Sequence, residues 1–99
     1  MSNVYELVFY KLKKGVTEEK FLAISDEINA NFLALQKGYI NRKLIKRKDT
    51  WADLVLWETM EDAKNALKAG GQNPAFKPFF ECINPFTCKM QHLSVVKEY

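Results

Sequence analysis

Val4-Tyr-Glu-Leu-Val-Phe-Tyr-Lys-Leu12 is dense in β-branched and aromatic residues, the types that fit a pleated surface. Alternation places Val4, Glu6, Val8 and Tyr10 on one face, and Tyr5, Leu7 and Phe9 on the other. Apolar residues on both faces predict a strand inside a sheet rather than at its edge. Gly15 breaks the pattern.

Outward from this strand, Phe21, Ile24, Ile28, Phe32 and Leu35 recur at spacings of three and four. That is the apolar stripe of an amphipathic helix over Thr17 to Gln36. Thr17 is the predicted cap, Glu18 and Glu19 suit the positive end of the helix dipole, and Gly38 is the predicted stop. Tyr39–Arg47 and Trp51–Trp57 read as a hairpin reversed over Lys48, Asp49 and Thr50. In its second strand Trp51, Asp53, Val55 and Trp57 share one face, and Ala52, Leu54 and Leu56 the other. A second helix is predicted over Met60–Ala69, with Met60, Ala63, Ala66 and Leu67 inward, Thr59 as cap, and Gly70 and Gly71 as its end. Asn73-Pro74 opens a short extra helix to about Ile83, with Phe76, Phe79, Phe80 and Ile83 as its stripe. Pro85 closes it, and Cys88–Tyr99 reads as a last strand.

Strand, helix, strand, strand, helix, strand is the α+β, ferredoxin-like βαββαβ order. It predicts one four-stranded antiparallel sheet with the helices on one face, in a single domain over residues 1–99. The 99 residues suffice for one core, and no repeat or linker divides them. The sheet face away from the helices is apolar on both central strands, so a second copy of the chain is the economical cover.

Composition narrows the function classes. The net charge of +3 falls short of the clustered excess of a nucleic-acid binder. Arg42, Lys43, Lys46, Arg47 and Lys48 form the densest basic run, read as a solvated, charge-protected edge strand. Asp53-Leu-Val-Leu-Trp-Glu58 lacks the aromatic spacing of an RNA-recognition sheet, so no nucleic-acid partner is expected. Cys82 and Cys88 are the only cysteines. They are read as reduced thiols, with one bridge between them open under oxidation. With His92 they match no zinc spacing, and no metal site is expected. Met1 to Tyr10 has no basic n-region, and no apolar run approaches the roughly 20 residues of a membrane span. The expected compartment is the cytoplasm, without membrane association. No phosphate loop, paired-His metal motif or nucleophile elbow is present.

The element order, with Trp51-Ala-Asp-Leu-Val-Leu-Trp57, Pro74-Ala-Phe-Lys-Pro-Phe-Phe80 and Met90-Gln-His-Leu-Ser-Val-Val96, resembles the dimeric α/β-barrel superfamily. It is most similar to the small antibiotic-biosynthesis-monooxygenase-like members, over nearly the whole chain. The resemblance implies two sheets packed into a shared barrel, with a small-molecule pocket between sheet and helices in each subunit. It also implies the activities of that group: cofactor-free oxygenation of anthrones and quinols, haem degradation, or isomerisation. The haem-degrading members use an Asn on the first strand. Here that strand carries Glu6 and Tyr10, with Asn3 only at its edge, and the single His lies on the last strand.

In this fold the first strand lies between the third and the last. Glu6, Asp53 and His92 then project from three adjacent strands toward one face, with Trp57 beside Asp53 and Tyr10 beside Glu6. A carboxylate next to an imidazole fixes the ring tautomer, and such a pair can abstract a proton from a phenol or carbon acid. His92 is the expected base, Asp53 or Glu6 its orienting carboxylate, and Trp57 the pocket wall. Tyr10, Phe79 and Phe80 complete the expected substrate contacts. No cofactor is expected, and the expected ligand is a small aromatic or quinol-like molecule. The structural alternative pairs Glu6 and Asp53 with Lys43, Arg42 or His92 as salt bridges. The tryptophans then belong to the core and the phenylalanines to a lid. The functional alternative is a non-catalytic, homodimeric small-molecule binding or stress-related protein of the same fold.

Overall fold

The computed structural model describes residues 2–99; Met1, where the leader expectation begins, lies outside them. Four strands, β1 (Val4–Lys11), β2 (Tyr39–Arg47), β3 (Thr50–Trp57) and β4 (Lys89–Ser94), form one antiparallel sheet in the order β2-β3-β1-β4. Three helices accompany it: α1 (Glu18–Asn31), α2 (Met60–Gln72) and α3 (Lys77–Cys82). The ferredoxin-like α+β class is the observed one, with β1 central.

One sheet face carries the core. Val4, Glu6, Val8 and Tyr10 of β1 and Trp51, Asp53, Val55 and Trp57 of β3 are all buried there. Phe21 of α1 is fully buried, stacked on Phe79 of α3 at 5.3 Å and set edge-on to Trp51 at 5.1 Å. Burying each such ring contributes about 1.5–3 kcal/mol. The opposite face carries Leu7, Phe9, Leu54, Leu56, Ile45 and Leu93, none of them buried and Phe9, Ile45 and Leu93 exposed.

Both long helices start as expected. The Thr17 hydroxyl accepts from Lys20 N–H at 3.2 Å, and the Thr59 hydroxyl from Asp62 N–H at 3.0 Å. Their ends differ. Helix α1 stops at Asn31 rather than Gln36, because Phe32 leaves helical geometry (φ −136°, ψ −66°) to set its ring edge-on against Phe76 at 5.0 Å. A 3-10 turn over Leu33–Leu35 follows. Its tighter winding accompanies a Leu35 that is 74% exposed instead of in the stripe.

Helix α2 runs through Gly70 and Gly71 to Gln72. Each glycine weakens the helix by about 1 kcal/mol but does not stop it. The stop comes from Pro74, which disfavours helical backbone at Asn73, and Asn73 is extended at φ −95°, ψ 118°. The inner face of α2 takes Ala63, Ala66 and Gly70, while Leu67 is exposed. The extra helix divides into a 3-10 turn (Pro74–Phe76) and α3, with Phe76, Phe79 and Ile83 buried and Phe80 exposed. Strand β4 ends at Ser94 rather than Tyr99, because its partner β1 begins at Val4; one bond, Val95 N–H to Asn3 O, lies beyond. Thr50 pairs with Arg47, so the hairpin turn is Lys48-Asp49 alone.

Gly38 has a structural role beyond ending a helix. Its φ is +84°, and a Cβ there would overlap the Asp62 side chain. The close approach of the β2 entry to α2 therefore requires glycine.

Candidate active site

Alternation along β1 and β3, with β4 pairing on the other side, sets the geometry. Glu6 lies directly opposite His92 in the β1–β4 ladder, and His92 Nε2 is 3.1 Å from Glu6 Oε1. Asp53 lies opposite Val8 on the far side of β1. Its two oxygens are taken separately: Tyr10 OH donates to Oδ2 at 3.1 Å, and Arg42 Nε donates to Oδ1 at 2.8 Å. Arg42 Nη1 reaches Ser25 O and Asn29 Oδ1 on α1, both at 3.4 Å. The three expected positions thus fall into two polar pairs, Glu6–His92 and, with Arg42 of β2 as a fourth member, Asp53–Arg42, and His92 has no bond to Asp53.

Between sheet and helices lies a cavity of about 330 Å³, within the size range of small-molecule sites. Glu6, Tyr10, Asp53, Trp57, Phe79 and Phe80 all line it. His92 does not; it stands behind Glu6, with its side chain 15% exposed. Trp57 is 1% exposed and set edge-on to Tyr39 at 6.0 Å, so it is core and wall at once. Phe79 likewise belongs to the buried aromatic cluster, with the Arg42 guanidinium 5.9 Å above its ring. Phe80 stacks on Phe76 at 5.4 Å and forms the rim.

The electrostatics separate the groups. Burial pushes the Glu6 carboxyl above the ordinary carboxylate value. The His92 hydrogen bond and charge offset this in part, and the Asp53 charge adds to it. A desolvated carboxyl of this kind is a stronger base than a solvated one. Tyr10 is pushed far above the phenol range, first by burial and then by Asp53, so it remains a neutral phenol. Burial, with Asp53 second, also raises the Cys88 thiol; Cys88 lines the cavity as a thiol, not a thiolate.

Arg42 corrects the expectation of a wholly solvated basic strand. Its side chain is 6% exposed and lines the cavity, whereas Lys43, Lys46, Arg47 and Lys48 are exposed. Its position two before Leu44, on the helix-facing side of β2, is the signal that marks it. Gly70, Gly71, Cys88 and Met90 also line the cavity. Met90 alternates with His92 on the helix-facing side of β4, and Cys88 keeps the same spacing just before that strand, whereas nothing in the spacing of the two glycines indicates their place. Arg42 Nη2 and Trp57 Nε1 are buried without a hydrogen-bond partner among the described residues. Among those residues, no group of three His, Cys, Asp or Glu side chains is placed to hold a metal ion, and no helix is long and apolar enough to cross a membrane.

No family model matches the chain, and no curated protein matches its sequence. Solved structures do match its fold. SnoaB from Streptomyces nogalater, a cofactor-independent oxygenase seen here in a single-substitution variant, superposes with a TM-score of 0.79 at 14% identity, over 99% of this chain and 97% of that one. A candidate antibiotic-biosynthesis monooxygenase from Bordetella bronchiseptica gives a TM-score of 0.80 at 17% identity, over 98% and 100%. A dimeric ferredoxin-like protein from an uncultured marine organism gives 0.71 at 14% identity, over 100% and 92%. At these identities the likeness establishes the shared fold.

Proposed function

We propose that this chain is a homodimeric, monooxygenase-like enzyme that deprotonates a small aromatic or quinol-like molecule in the sheet–helix cavity and passes it to O₂. The observation that carries this is Glu6, a carboxyl raised by burial, in an aromatic-walled cavity with His92 hydrogen-bonded behind it. Similarity in fold to a cofactor-independent oxygenase supports the same reading.

In this reading the roles expected for the pair are exchanged. Glu6 faces the cavity and acts as the base; His92 is a positioning residue that holds the carboxylate and takes up part of its charge. Glu6 removes a proton from an activated CH₂ or phenol. The resulting anion gives one electron to O₂, and the two radicals combine as a peroxide. Loss of water then converts CH₂ to C=O, one oxygen atom entering product and the other leaving as water. Trp57 and Phe79 hold the ring. Tyr10 and Arg42 fix Asp53, whose two oxygens are occupied, so it is not the proton acceptor. The open sheet face with Leu7, Phe9 and Leu54 packs against a second copy, completing the dimeric barrel.

Oxygen uptake with an anthrone as probe tests this. The expected result is one O₂ consumed per anthrone, with a loss of about 10²–10⁴-fold in Glu6→Gln. Tight binding of the probe with no O₂ uptake would leave the non-catalytic binding protein as the better description.

A further inference from the structure

The cavity does not end at its apolar walls. Gly71 and Phe80 also border a second, shallower concavity of about 420 Å³, whose other sides include Lys13, Gln72, Asn73, Lys77 and Glu81. The two spaces share these residues as a common border. A Cβ placed on Gly71 finds no atom within 4 Å, so the α2 side of the junction is open. Phe80, 52% exposed and stacked on Phe76, forms its α3 side.

The two spaces differ in chemistry. The inner one is walled by Trp57, Phe76, Phe79 and Ile83. The outer one is less strongly apolar and carries two lysines against one carboxylate. Backbone bonding fixes Lys13, whose N–H donates to Cys82 O at 2.8 Å. Among the described residues neither Lys13, Lys77 nor Glu81 is in an ion pair, so both ammonium groups are free to meet an anion.

We propose that the ligand is amphiphilic: its aromatic head fills the inner cavity, and a carboxylate-bearing substituent passes between Gly71 and Phe80 to lie against Lys13 and Lys77. This rests on the aromatic-ligand reading above and adds the charge and direction of the substituent. Glycine at position 71 is then a specificity determinant, because a large side chain there, at the border of both spaces, closes the passage.

The test compares two ring-matched probes, anthraquinone-2-carboxylate and the neutral 2-(hydroxymethyl)anthraquinone, by quenching of tryptophan fluorescence. The carboxylate is expected to bind about fivefold tighter, the scale of two partly exposed ion contacts. Its advantage disappears in Lys13→Gln/Lys77→Gln and in 0.5 M salt, while the neutral probe keeps its affinity in that variant. Gly71→Leu removes the advantage as well. Equal affinities in the unsubstituted protein, or an advantage that survives the double lysine substitution, would overturn the outer site alone. Binding of neither probe would overturn the aromatic cavity and the outer site together.

Discussion

Glu6 and His92 face each other as directly paired residues of the β1–β4 ladder, joined at 3.1 Å, with only Glu6 on the cavity wall. The imidazole lowers a carboxyl pKa that burial raises. The base needs the ionised carboxylate, so activity rises with pH through the raised carboxyl value. His92→Ala removes the lowering influence and moves that limb to higher pH. A kcat/KM profile of the two proteins checks this; an unmoved limb would separate His92 from the carboxyl.

The same shift carries a stability sign. The Glu6 carboxyl has an ordinary value of 4.5 and a higher one in the folded chain. The native state therefore holds the proton more tightly than the unfolded state. Its contribution is fully present below 4.5 and is lost as pH rises through the folded value. Glu6→Gln abolishes this dependence. Melting curves of both proteins from pH 4 to 8 are expected to show the variant gaining relative stability as pH rises.

Asp53 and Arg42 are a buried pair, with side chains 11% and 6% exposed. Asp53→Ala leaves a guanidinium in the interior with one charge partner fewer and frees the Tyr10 hydroxyl. Urea unfolding is expected to show a loss of about 3–5 kcal/mol, against under about 1 kcal/mol for removing the exposed Lys46–Glu18 pair.

Two glycines respond to alanine with opposite signs. Gly38→Ala forces a Cβ onto the Asp62 side chain at positive φ and is expected to cost more than about 1 kcal/mol. Gly71→Ala adds a methyl in open space on a helix and is expected to gain about 0.5–1 kcal/mol. Thermal denaturation of the two variants side by side tests both.

Leu54 lies on the open sheet face beside Leu7, while Val55 is buried toward the helices. Leu54→Lys is therefore expected to convert the proposed dimer to monomer or insoluble protein without altering the helix-facing core. Native mass spectrometry reads this. A folded monomer from the unsubstituted chain would refute the dimer.

The element order was legible because β1 and β3 alternate cleanly and α1 and α2 carry both caps and stripes. Meeting of Glu6 with His92 was legible too, since ladder order and alternation alone bring them together. Which of the two faces the cavity was not, because that depends on where the wall ends along β4. The salt-bridge alternative named Arg42 and His92 as partners of the two carboxylates, and both pairs are present; what the basic run obscured is that Arg42 is buried, because a run of like residues reads as solvated although alternate side chains point inward. Local signals also misjudged the helix ends, since Phe32 leaves α1 for a ring contact 44 positions on, at Phe76. The exposure of Leu67 and Phe80 follows from their place at a cavity rim, which periodicity treats as core.

Proton transfer by Glu6 is tested most directly under argon, where oxidation cannot follow. An anthrone probe in D₂O exchanges its acidic methylene protons at a rate read by NMR. The unsubstituted protein is predicted to accelerate the exchange, and Glu6→Gln to leave it at the buffer rate. Equal acceleration by both proteins, or none by either, would contradict Glu6 as the base.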